Sequence, residues 1–269
     1  MSREISEALL EMHFHKPLVE FFEHLHGAKA IKLFKPTAQK ENWVGFDQAW
    51  TRSNLTQEKL FEELKDAIKN EEKEAKEFYL GYFLQFKTVK KLERSSTRKP
   101  KNFKTPYYRT ELSLEPNKHT GLSQHETLMR LKNLKNALVC YACGMIFDSS
   151  EVFEEPSLEK LQFVDLELAP TGFKSHEKHA INFRTIDDPK PFWCSEPVEG
   201  RAFSVEMLKE YNYAKLMKRL TSQEATELIK DTLELLFSPS VEKDDLQIVF
   251  WKNRPQIMPS SFTLLKMRK

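Results

Sequence analysis

The longest apolar run of the chain, Ala137–Phe147 (ALVCYACGMIF), contains no charged residue, and it limits what the rest can build around it. It falls short of the roughly 20 residues that cross a bilayer. It therefore reads as a strand buried in a sheet. A helix over Thr120–Asn136 leads into it, opened by Ser123 and Glu126 as an S-x-x-E cap ahead of Leu128, Leu131 and Leu134. Upstream, Phe78–Val89 (FYLGYFLQFKTV) is the strongest strand by aromatic and β-branched content. Gln85 and Lys87 lie two apart in it, so their side chains leave the same face.

The N-terminal third completes an alternation of helices and strands. Apolar residues recur at helical spacing from Ile5 to His26, with Pro17 dividing the stretch into two pieces and Gly27 as a stop. Ile31–Lys35 and Trp43–Trp50 (WVGFDQAW) are strand candidates, the second with Asp47 in its middle. Between them and Phe78 an amphipathic helix carries Leu60, Phe61, Leu64 and Ile68 on one face, with Asn54 and Gln57 as its cap. Residues 90–110 read as a basic, proline-containing loop. Beyond residue 150 the pattern predicts short strands at 161–168, 179–183, 192–195 and 246–251, and helices at 205–220 and 222–237.

Composition removes several classes of activity. Seven glycines in 269 residues leave no GxGxxG, no GxxxxGK[ST] and no GxSxG, so the usual dinucleotide, P-loop and hydrolase-elbow sites are excluded. Three cysteines make no disulfide framework, and Glu4, Glu7 and Glu11 with no apolar stretch among them do not read as a secretory signal. A cytoplasmic protein without a membrane segment is expected. Lys and Arg number 42 against 40 Asp and Glu, so any nucleic-acid signal must be local. Cys140-x-x-Cys143 with His176-x-x-His179 has zinc-like spacing, yet the cysteines fall inside the apolar run, where buried thiols are the better reading.

Taken together, residues 5–147 read helix, strand, strand with Asp47, strand with Gln85-Phe86-Lys87, helix, strand. This αβββαβ order resembles the restriction-endonuclease-like PD-(D/E)xK superfamily, and the Gln-x-Lys form after GFD is similar to Mrr-type nucleases. The resemblance covers roughly residues 5–147 and implies an α/β (α+β) fold, a nuclease core over 1–150 with a mixed central sheet flanked by helices; residues 151–269 read as an α/β C-terminal elaboration, either separate or part of the same domain. It implies that Asp47, Gln85 and Lys87 form a catalytic site, with Asp47 and Gln85 holding Mg²⁺ or Mn²⁺ and Lys87 orienting water or countering charge on the scissile phosphate. Glu20, on the first helix, and Glu41, just before Asp47, both stand as the further carboxylate. Gln124 matches the helical glutamine of some relatives. Two features depart from the family: Phe46 precedes Asp47 where proline is usual, and a helix lengthens the interval from Asp47 to Gln85.

A basic stretch follows the site directly. Lys90, Lys91, Arg94, Arg98, Lys99, Lys101, Lys104 and Arg109 stand against Glu93 alone, with Phe103, Tyr107 and Tyr108 interleaved. Such a segment can neutralise phosphates, and its tyrosines either stack on bases or pack the segment down. DNA is the expected substrate. The resemblance further implies self-association as a homodimer and a role in bacterial restriction or antiphage defence beside a partner protein. The alternative is a non-catalytic nucleic-acid-binding or protein-interaction module, motivated by the neutral glutamine where an acid would bind metal more strongly.

Overall fold

A computed structural model describes residues 5–26, 31–53, 55–72, 78–94, 99–134, 137–170, 179–187, 190–194 and 198–204. The helices expected at 205–220 and 222–237, the strand at 246–251, His176, Arg98 and Ser195 lie outside these residues.

The fold is mixed α+β. A six-stranded sheet is built from β1 (Lys32–Phe34), β2 (Gln48–Ser53), β3 (Phe78–Thr88), β6 (Ala137–Gly144), β7 (Leu161–Asp165) and β11 (Arg201–Phe203), in the order β1-β2-β3-β6-β7-β11. Only the β3–β6 pair is parallel, with Gln85 beside Tyr141 and Lys87 beside Cys143; the other neighbours run antiparallel. The sheet draws on residues from both sides of position 150. Four helices accompany it among the described residues: α1 (Glu7–His26), α2 (Ala38–Val44), α3 (Gln57–Asn70) and α4 (Gln124–Lys132). No described helix is long and apolar enough to cross a membrane.

The apolar run shows no period because β6 is buried on both faces. Leu138, Cys140 and Ala142 join the cluster that packs under α1 with Leu10, Phe14, Leu18 and Phe22. Val139, Tyr141 and Cys143 join the opposite cluster, with Leu60, Phe61 and Leu64 of α3 and Leu128 and Leu131 of α4. Cys140 and Cys143 thus point to opposite sides of the sheet, which rules out a shared zinc ion. β3 alternates likewise: Tyr82, Leu84 and Phe86 face α1, while Phe83 joins the other side.

Four local expectations change. Pro17 lies inside one continuous helix, since five buried residues, Leu10 to Phe22, hold α1 to the sheet although proline removes a backbone bond. Trp43 and Val44 end a helix and do not start a strand. Thr37 caps α2 by accepting from Lys40 N, and Gly45 stops it at φ 74°, so β2 begins only at Gln48. α3 is capped by Thr56, whose side chain accepts from Lys59 N. Residues 90–110 are not one loop: β4 (Lys90–Leu92) pairs with β5 (Tyr107–Glu111), Lys90 opposite Arg109 and Leu92 opposite Tyr107. With β8 (Ala180–Phe183), β9 (Pro191–Trp193) and β10 (Val198–Glu199) they form an antiparallel second sheet in the order β10-β9-β8-β5-β4. The capping box of α4 has the expected form, with Ser123 and Glu126 bonded reciprocally.

Candidate active site

Asp47 is the second of two residues between the αL cap of α2, Gly45, and the start of β2 at Gln48. Its backbone N–H donates to Leu84 O at 2.9 Å, and Gln48 pairs with Leu84, which sets Asp47 beside Gln85 on the neighbouring strand. Asp47 Oδ2 accepts from Gln85 Nε2 at 2.8 Å and from Phe86 N at 2.7 Å. The other end of the Gln85 amide, Oε1, is buried and has no hydrogen-bond partner. A buried carbonyl oxygen left unpaired is costly. It is also a donor ready for a cation.

The electrostatics follow from burial. Burial pushes the Asp47 carboxyl up to about 7, helped by the nearby Glu41 and Glu11 and opposed by the Phe86 N–H and by Lys87. Burial likewise raises Glu41, against the pull of Lys87 and of its hydrogen bond to Asp47. The Glu41 charge thus favours the protonated form of Asp47.

Lys87 is buried at 5% exposure, and its Nζ donates to Glu7 Oε1 at 2.9 Å. One turn further along α1, Glu11 accepts from Gln48 Nε2 at 2.9 Å and from Lys35 Nζ. Four carboxyl groups therefore stand around two ammonium groups. Oxygen donors in excess of cationic charge suit a hard divalent cation. Asp47, Glu41 and Gln85 are the residues that could hold one, Gln85 through Oε1 once its amide turns Nε2 away from Asp47; no three described His, Cys, Asp or Glu side chains group closely enough to do so by themselves.

The structure brings together Asp47, Gln85, Lys87 and Glu41. Glu20 is not among them. It is exposed, pairs with Lys16 at 3.8 Å, and lies thirteen residues beyond Glu7, roughly 20 Å along the helix axis. The helical acids at the site are Glu7 and Glu11, which sequence reasoning did not select; their i, i+4 spacing at the start of α1 was the available signal. Gln124 opens α4, and a Cβ added at Gly45 would stand 3.4 Å from its backbone carbonyl oxygen.

In the basic segment Lys90, Lys91, Arg94, Lys101 and Lys104 are exposed, and Lys91 pairs with Glu93 at 3.0 Å. Lys99 is half-buried. Tyr107, Tyr108 and Arg109 are buried, so the tyrosines pack the segment down and offer no face to a base. Phe103, Tyr107 and Phe192 form a small cluster of their own, roofed by the Arg184 guanidinium 4.4 Å above the Phe192 ring. Away from the site, His125 bonds Tyr141 Oη at 2.8 Å and burial lowers it to about 4, so it is neutral at physiological pH. His179 Nδ1 lies 3.5 Å from Cys194 Sγ.

Comparison with protein-family models, with curated proteins and with solved structures returns no match in any of the three.

Proposed function

We propose that the chain is a metal-dependent nuclease that hydrolyses phosphodiester bonds in DNA on a restriction-endonuclease-like core. The observation that carries this is the convergence of Asp47, Gln85, Lys87 and Glu41 at the junction of two paired strands. The order α1, β1, β2, β3, α4, β6, with α2 and α3 inserted and β6 parallel to β3, supports the core that the sequence resembles.

Asp47, Glu41 and, after a half-turn of its amide, Gln85 Oε1 would hold Mg²⁺ or Mn²⁺, which when bound polarises the phosphate and makes water a stronger nucleophile. The buried Lys87 ammonium counters charge that develops on the phosphate oxygens, in a setting where solvent screens little. Lys90, Lys91, Arg94, Lys101 and Lys104 would take flanking phosphates. Self-association and a defence-system partner come from the resemblance alone.

A second reading, a nuclease-like module that binds without cutting, is favoured by the Gln85 amide, which donates to Asp47 and leaves the site one carboxylate short. One experiment separates the two. Wild type and Lys87→Ala are incubated with supercoiled and linear DNA in Mg²⁺, Mn²⁺ or EDTA and scored for nicks and breaks. Metal-dependent cleavage that Lys87→Ala loses by at least about a hundredfold is the expected result. Salt-sensitive binding with no cleavage by wild type transfers the assignment to the binding module.

A further inference from the structure

We infer that Glu7 is a positioning residue for Lys87: its carboxylate holds the buried ammonium until a DNA phosphate displaces it. This rests on the nuclease reading and names how the same site is governed.

The two partners differ in freedom. The Lys87 side chain is 6% exposed and that of Glu7 is 43% exposed. Lys87 sits near the end of β3, in register with Cys143 of β6, and its side chain is enclosed, so its charge stays out of water unless the strand end moves. Glu7 can leave by a rotamer change alone. The helix that carries it is seated on the sheet three residues further on, where Leu10 packs against Gly144 of β6. The contact at 2.9 Å is therefore made by a stationary cation and a movable anion.

Glu7 makes the direct contact with Lys87, while Glu41 and Asp47 feel its charge without a hydrogen bond to it; Asp47 is engaged by Phe86 N and Gln85, and Glu11 by Gln48 and Lys35. A buried ammonium needs a counter-charge at all times. Glu7 supplies it in the free protein, and an arriving phosphate oxygen supplies it in the complex, so each phosphate that binds must first outcompete Glu7.

The test is duplex binding by fluorescence anisotropy, using a labelled 20-base-pair DNA and the full chain with Ca²⁺ in place of Mg²⁺, backed by steady-state cleavage in Mg²⁺. Glu7→Gln keeps the size and an acceptor oxygen and removes only the charge. It should tighten DNA binding about three- to tenfold and lower KM by a similar factor without raising kcat. Glu7→Asp, which returns the charge on a shorter arm, should restore the wild-type affinity. In a Lys87→Met background Glu7→Gln should change nothing, because the effect passes through Lys87. Unchanged or weaker binding by Glu7→Gln, with wild type binding normally, overturns this inference and leaves the nuclease reading intact. A tightening that persists in Lys87→Met also overturns it. Absence of DNA binding by wild type overturns both.

Discussion

Gln85 donates from Nε2 to Asp47 Oδ2 at 2.8 Å across 38 residues of sequence, while its own Oε1 stays buried and unpartnered. The amide is thus oriented to protect a carboxylate, and a half-turn about its last torsion would present two oxygens side by side. Gln85→Glu tests what the neutral amide achieves. It should destabilise the metal-free protein by about 1–3 kcal/mol at pH 7.5, because two carboxylates meet in a buried site. Mg²⁺ should bind at least about tenfold more tightly and recover that loss. Thermal melts with and without Mg²⁺ check both halves. A variant as stable as wild type without metal would mean that Asp47 and residue 85 do not sense each other.

The raised Asp47 carboxyl predicts how stability depends on pH. Its folded value, about 7, lies above the unfolded 3.8, so the folded state binds more protons between these limits. Stability is then greatest below about pH 4, falls as pH rises toward 7, and levels off above, a loss on the order of a few kcal/mol. Asp47→Asn removes this dependence and should be more stable than wild type at pH 8 but not at pH 4. Urea unfolding in EDTA across pH 4 to 8 measures it. Parallel curves for the two proteins would refute the assignment of the shift to Asp47.

How much of this was legible in the sequence follows from which contacts are local. β3, β6 and the cap of α4 are written in short runs, and Asp47, Gln85 and Lys87 share a junction because β2 and β3 are antiparallel neighbours. The helix α2 was hidden, since its seven residues are too few to show a period and Trp43 favours a strand reading. Glu7 and Glu11 were hidden for another reason. Their role depends on where α1 lies on the sheet, 80 residues before Lys87 in the case of Glu7. The burial of Tyr107 and Tyr108 depends on the pairing of β5 with β8, which opposes Tyr108 to Phe183, a contact between residues far apart in the chain.

Gly45 links α2 to the site. It adopts φ 74°, its N–H donates to Glu41 O at 2.7 Å, and an added Cβ would stand 3.1 Å from Thr127 of α4. Gly45→Ala meets both a left-handed backbone and a packed neighbour, so it should cost about 1–3 kcal/mol. Because Glu41 and Asp47 flank the turn, cleavage should fall further than stability explains, by roughly tenfold at a temperature where the variant is fully folded. Activity equal to wild type under that condition would show that the turn does not set their spacing.

The buried tyrosines fix what the basic segment can recognise. With Tyr107 at 0% and Tyr108 at 7% exposure, the described part of the segment presents ammonium and guanidinium groups and no aromatic face, so under the proposed function it would hold DNA through phosphates. Lys101 and Lys104 are exposed and flank the buried Phe103. Replacing both by alanine should weaken duplex binding about equally for unrelated sequences and reduce the slope of log K against log salt by roughly two. Tyr107→Ala should instead lower the melting temperature through a cavity costing about 3–5 kcal/mol, and leave the salt slope of the folded fraction unchanged. Binding isotherms from 50 to 300 mM salt distinguish these outcomes. A slope that falls with Tyr107→Ala and not with the lysine pair would place the phosphate contacts elsewhere on the chain.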